Sequence, residues 1–167
     1  MYSAVFDTGP LIHLHEINQL ELVITVFNTL HLPEQVKREI RNEAIIQFLK
    51  DKITCVSVHS VNEPELFATK EAYSGFQLHL ADLAVLSLLP KINNAVAVTD
   101  DLALRSAVES GGRIAVGTIG ILLNGYKRGV FSKLLLIKLL GLVFNDSSLY
   151  LSSAFKTKVL NIVETLT

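Results

Sequence analysis

The sequence predicts an α/β protein: a three-layer αβα arrangement around a central, mainly parallel sheet, with a helical C-terminal segment. Three observations carry this. Short β-type runs alternate with stretches of helical spacing, the order that builds crossover connections between parallel strands. Val96-Ala97-Val98 is continuously apolar, as a strand covered on both faces must be. Two of the runs, ending at Phe6 and Val98, are followed at once by acids and then by helix-start residues.

Taken in order, Tyr2 to Phe6 is a β-type run stopped by Asp7-Thr8-Gly9-Pro10, which is turn and helix-start chemistry. Leu11 to Phe27 has helical spacing, as two short helices broken near Asn18. His31-Leu32 leads into Pro33, read as a first helical residue, and a helix carrying Val36, Ile40 and Ala44 on one face continues towards Lys50. Ile53 to Val58 is β-like, and Asn62-Glu63-Pro64-Glu65 opens another helix. Leu78 to Leu89 is a strongly apolar helix, Ala95 to Val98 a short buried strand, and Leu102 to Ser110 a helix closed by Gly111-Gly112. Ile114 to Val116 is a further strand, and the remainder is helical.

The 167 residues suit one domain, residues 1–167, with a sizeable core. Half of them are hydrophobic and the mean hydropathy is +0.42, so some apolar surface is expected between subunits of a homodimer. The most apolar stretch, Val130 to Phe144, is interrupted by Lys133 and Lys138 and too short to span a bilayer, so it reads as a buried or interface helix. Cys55 is the single cysteine, which excludes an intramolecular disulfide and a cysteine-based metal site and fits the cytoplasm. The N-terminus does not read as a signal peptide. A net charge of −1 does not advertise nucleic acid, so polyanion contacts must come from local groups such as Lys37, Arg38 and Arg41, then Arg105, then Lys127 and Arg128.

The chemistry rests on acids. Asp7 follows a strand and would project into a cleft at the carboxyl edge of the sheet, where ligands of open α/β folds bind; it would equally cap the helix starting near Pro10. Glu39 borders the buried face of its helix, and its bland reading is a rim residue. Asp82 interrupts a helix of Leu80, Ala81, Leu83, Ala84, Val85 and Leu86, where a carboxylate is unfavourable without a partner unless it lies at the helix start. After Thr99, one of Asp100 and Asp101 would cap the next helix and leave the other to face the cleft. Acids gathered there would repel one another unless a hard cation such as Mg²⁺ or Mn²⁺ lay between them. His13 and His15 read as surface residues. Gly117-Thr118-Ile119-Gly120 lacks the lysine of a phosphate loop and reads as a strand-to-helix turn.

Together, Asp7-Thr8-Gly9-Pro10-Leu11-Ile12, Leu32-Pro33-Glu34-x-Val36-x-x-Glu39-Ile40, Leu78-His79-Leu80-Ala81-Asp82 and Val98-Thr99-Asp100-Asp101-x-x-x-Arg105 resemble the four acidic motifs of PIN-domain proteins, small nucleases that include the VapC toxins of prokaryotic toxin–antitoxin pairs. Gly117-Thr118-Ile119-Gly120-Ile121-Leu122 with Gly129 resembles a segment of one prokaryotic subgroup. The similarity covers roughly residues 3 to 130, leaving C-terminal helices over about 131–167. It implies a Mg²⁺- or Mn²⁺-dependent endoribonuclease acting on RNA, with a possible antitoxin protein as partner. Asp7, Glu39, Asp82 and Asp100 or Asp101 would hold metal, the Thr8 and Thr99 hydroxyls would orient a metal-bound water, and Arg105 would contact a substrate phosphate. The third motif often has Gly-Glu in this subgroup; here Ala81-Asp82 shortens the reach by one methylene. Of the pair, Asp100 is favoured as the first acid after the strand, whereas the Thr-x-Asp spacing common in the family selects Asp101. The alternative is a catalytically inactive PIN-like module that binds RNA or protein. A phosphatase of another α/β family would need a second aspartate two residues after the first, which Asp7-Thr8-Gly9 lacks.

Overall fold

A computed structural model describes residues 2–166; the two terminal residues of the expected 1–167 domain, Met1 and Thr167, lie outside the described residues. The elements run β1 (Ser3–Phe6), α1 (Thr8–Glu16), α2 (Leu22–Val26), β2 (Leu30–Pro33), α3 (Glu34–Glu39), α4 (Glu43–Asp51), β3 (Val56–His59), α5 (Glu63–Ala72) and α6 (Leu80–Leu88). A 3₁₀ turn (Leu89–Lys91) leads to β4 (Ala95–Val98), α7 (Leu102–Ser110), β5 (Ala115–Val116), α8 (Thr118–Lys127), α9 (Lys133–Asn145) and α10 (Ser153–Thr165).

All strand pairings are parallel, in the order β3-β2-β1-β4-β5. The chain builds outward from β1 to β3, then returns to the far side of β1 for β4 and β5. The reversal lies between β1 and β4, paired in register from Ser3–Ala95 to Phe6–Val98, so two strands end side by side at the switch point. The apolar run of β4 is buried throughout, as its composition requires, while the edge strands β3 and β5 are only half-buried.

Helices flank the sheet in three layers. One group centres on α6, which packs on β1 and β2 and against α3, α5 and α7. A second centres on α8, which packs on β5 and against α1, α2 and α9. Leu136, Leu139, Leu140 and Val143 of α9 and Val159 and Val163 of α10 join the same core as Phe6, Leu30 and Val98. Caps set several boundaries. Asn42 accepts from the amides of Ala44 and Ile45 to start α4, and Asn62 and Glu65 form a reciprocal capping box at α5. Sharp turns lead into β4 and β5 through Asn94 and Gly112, both with positive φ.

Two sequence expectations need correction. Leu30–Pro33 is a strand, wedged between β1 and β3, rather than the approach to a helix. Its alternation is only four residues long, and Pro33 serves both as last strand residue and as the residue before α3, so its helix-start signal masked the strand. The helix expected from Pro33 towards Lys50 is two helices: extended backbone at Ile40 and Asn42 ends α3 and caps α4. The stretch Val130 to Phe144 proves two-sided, with one buried face and another on which Leu134 is 79 % and Ile137 45 % exposed.

Asn18, between α1 and α2, is exposed and has φ 56°, a left-handed conformation that penalises a Cβ unless a short polar side chain is present. Asn18→Ala is expected to lower stability by about 1 kcal/mol, and Asn18→Gly to change it little; urea unfolding midpoints measure both.

Candidate active site

The register of β1 and β4 puts Asp7 and Thr99 at neighbouring strand ends. Asp7 caps α1, its Oδ1 accepting from the Thr8 amide at 2.6 Å, while Oδ2 accepts from the Thr99 hydroxyl at 3.0 Å. The Thr99 hydroxyl oxygen in turn accepts from the Asp101 amide at 3.0 Å. Thr8 donates its hydroxyl to Glu39 Oε2 at 3.1 Å, joining α1 to the end of α3. Both threonines are buried, Thr99 completely. Their hydroxyls donate directly to carboxylates.

Asp82 lies in the first turn of α6, only 7 % exposed, where Oδ2 accepts from the His79 amide at 2.7 Å. Its position at a helix start answers the objection to a carboxylate in so apolar a helix: the side chain returns to the exposed backbone amide. Burial nevertheless pushes the Asp82 carboxyl above its usual range, with the charges of Asp101 and Glu39 adding to the rise. Burial likewise raises Asp7 to about 6, against the opposing hydrogen bonds from Thr8 and Thr99, with Asp82 and Glu39 adding to the rise. Asp7, Glu39, Asp82 and Asp101 thus form one electrostatically linked group. Among the described residues, none of the four is paired with a lysine or arginine.

The two adjacent aspartates divide. Asp101 caps α7, its Oδ1 accepting from the Leu104 amide at 2.8 Å, and its charge reaches Asp82. Asp100 turns away into a set of donors. Its Oδ1 accepts from the Thr118 amide at 2.8 Å, and its Oδ2 from the Thr118 hydroxyl at 2.5 Å and His13 Nδ1 at 2.8 Å. The sequence reads His13 as a surface residue and Thr118 as part of a strand-to-helix turn, and gives neither a place beside the acids. Helical phase on α1 and the glycine-threonine start of α8 are the only hints of them. Gly117 completes this corner by its lack of a side chain: a Cβ there would lie 2.5 Å from Asp100 Oδ1 and 3.3 Å from the Thr99 carbonyl. Arg105 donates to the Thr99 and Ala115 carbonyls at 3.1 and 3.0 Å, tying the end of β4 to β5. His15, by contrast, stands outside the group.

Four carboxylates with hard oxygen donors, mutual repulsion and no basic partner fit a hard divalent cation. Among the described residues, no group of three or more acid, histidine or cysteine side chains is placed so as to hold a metal ion as the chain stands.

A parallel sheet of order 3-2-1-4-5 with acids at its switch point defines a doubly wound α/β protein with an acidic cleft. The sequence model of the family DUF3368, described as a PIN domain, matches residues 3–165, and the chain belongs to the PIN-domain family. The match takes in the C-terminal helices as well as the acidic motifs. Members of this family are generally nucleases that use divalent metal ions. No curated protein matches the chain.

Two outcomes follow from the site. An acid whose carboxyl is raised on folding binds its proton more tightly in the folded state, so stability declines as pH rises from about 4 through about 6. Without divalent ions, that decline should amount to up to about 3 kcal/mol for Asp7 before solvent screening. Thermal melts across this range should show it, and Asp7→Asn should flatten the profile. At Thr118, replacement by valine removes a charge-assisted hydrogen bond to Asp100 and is expected to destabilise by about 2 kcal/mol. Chemical unfolding should show that loss, with Thr118→Ser close to wild type.

Proposed function

We propose that this chain is a divalent-metal-dependent endoribonuclease that hydrolyses RNA phosphodiester bonds. Mg²⁺ or Mn²⁺ would be held by Asp7, Glu39, Asp82 and Asp101. The carrying observation is that Glu39, Asp7 and Asp101 are strung together through Thr8 and Thr99, that Asp82 feels the charges of Glu39 and Asp101, and that none of the four has a basic partner among the described residues. Of the paired candidates, the reading favours Asp101: its charge bears on Asp82, whereas Asp100 is occupied by Thr118 and His13.

A bound metal would supply a water of lowered pKa and neutralise charge developing on the scissile phosphate. The residues of the chain do the rest. Thr99 and the Thr8 amide fix both oxygens of Asp7, and Thr8 fixes Glu39. The His79 amide holds Asp82 close to its backbone, which suits a side chain one methylene shorter than glutamate. Asp100 and Arg105 act as positioning residues, pinning the β4–α7 turn to the start of α8 and to β5. The raised carboxyls of Asp7 and Asp82 make the site a poor cation ligand in mild acid and a better one above neutral pH.

The finer reading is the toxin of a toxin–antitoxin pair in the cytoplasm, working as a homodimer; the exposed Leu134 and Ile137 on α9 support a subunit contact. Among the described residues no helix is long and apolar enough to cross a membrane. A neighbouring gene encoding a small antitoxin would support the pairing.

Purified protein should cut single-stranded RNA with Mn²⁺. EDTA or Asp7→Asn should each lower the rate roughly a thousandfold, as expected when several kcal/mol of charge stabilisation are lost. Equal cutting in EDTA and by Asp7→Asn would refute the metal reading. Calorimetry showing no uptake of Mg²⁺ or Mn²⁺ at millimolar concentration would favour an inactive binding module instead.

A further inference from the structure

Beside the acids lies a cavity of about 620 Å³, walled by α7 and α10 and floored by β5 and the start of α8. Its size is that of a site for a small organic group. Most of the lining is apolar: Val116, Ile119 and Leu123 below, Leu102, Phe155 and Ile162 at the sides. Phe155 is 42 % exposed and Tyr150, at the mouth, 90 %, so two aromatic rings are presented to whatever enters.

The polar groups are few and placed at particular points. Asp100 and Arg105 line the cavity. Their neighbours in the chain and in hydrogen bonding, Thr99 and Asp101, belong to the acidic rim. The cavity and the proposed reaction centre therefore share the turn between β4 and α7, with Asp100 lining the one and Asp101 belonging to the other. Asn124 adds an amide whose nitrogen donates to the Gly120 carbonyl, leaving its oxygen as an acceptor. Lys158 also lines the cavity and forms no ion pair among the described residues.

We propose that this cavity is the subsite for the base of a nucleotide flanking the scissile phosphate, with Phe155 and Tyr150 as stacking surfaces and Lys158 contacting the adjoining backbone phosphate. The inference rests on the nuclease reading and gives that site a means of choosing where to cut. A flat, mostly apolar group with a few edge hydrogen-bonding atoms matches the lining, and stacking on aromatic side chains is how proteins commonly hold unpaired bases.

The test separates this inference from the catalytic one. The four nucleoside 5′-monophosphates are titrated into the full chain in EDTA, followed by backbone amide NMR. Shifts are expected at Gly117, Gly120 and Leu123, larger for some bases than for others. Phe155→Ala should weaken that binding roughly five- to a hundredfold, the range for loss of a stacked base. In cleavage assays the same variant should raise KM more than it lowers kcat and flatten the base preference at the cut site. Lys158→Gln, an exposed change that spares the fold, should weaken binding of the monophosphates but not of the nucleosides. Absence of shifts at these amides at millimolar nucleotide, or unchanged affinity in Phe155→Ala, would overturn the assignment. So would shifts at the same amides on simple dilution, which would mark a second copy of the chain as the occupant. Nucleotide binding without Mn²⁺-dependent cleavage would sink the nuclease reading and with it the scissile-phosphate assignment, leaving only a base-binding pocket, whereas cleavage without base binding would sink this inference alone.

Discussion

The Thr99 hydroxyl joins the two halves of the sheet where they matter most. It donates to Asp7 at the end of β1 and accepts from the Asp101 amide beyond β4. It can do so only because β1 and β4 are parallel neighbours in register, with Phe6 opposite Val98. A single buried side chain thereby fixes the separation of the first acid from the last pair. Glu39 and Asp82 then approach from α3 and α6, the one held by the Thr8 hydroxyl at the start of α1 and the other by the His79 amide that caps its own helix. The acidic group depends on this pairing, because strands ending on different levels would leave its carboxylates out of each other's field.

That arrangement works against the stability of the metal-free fold. Asp7 and Asp82 are largely buried among charges of their own sign, and both resist ionisation. A site made only for stability would place a lysine or arginine among them or substitute amides. Arg105, the nearest basic side chain to this turn in the sequence, is directed to the Thr99 and Ala115 carbonyls instead. The acids are left without a basic partner while the backbone around them is held firmly.

Much of this could be read from the residues, and the failures have physical causes. The strand at Ala95–Val98 and the helix at Leu102–Ser110 were legible because an unbroken apolar run and a Gly-Gly stop are local signals. The cap of α5 was legible for the same reason. β2 was not, since a four-residue strand at the middle of a sheet draws its stability from both neighbours rather than from its own pattern. The order of the acids pointed to one site, yet the roles of Asp100 and Asp101 could not be separated by spacing. What separates them is Thr118 and His13, residues that arrive from α8 and α1 through tertiary packing. His13 reads as a surface residue because sequence alone cannot show that Asp100 waits opposite it.

Because every strand points the same way, the turns that enter the strands all lie on the rim opposite the acids. Cys55, the only thiol of the chain, stands at that opposite rim, one residue before β3, and is half-buried. A dye attached there would sit a full strand length from the acids. The protein thus carries its own attachment point for surface tethering or energy-transfer measurements, with the acidic edge left facing solution.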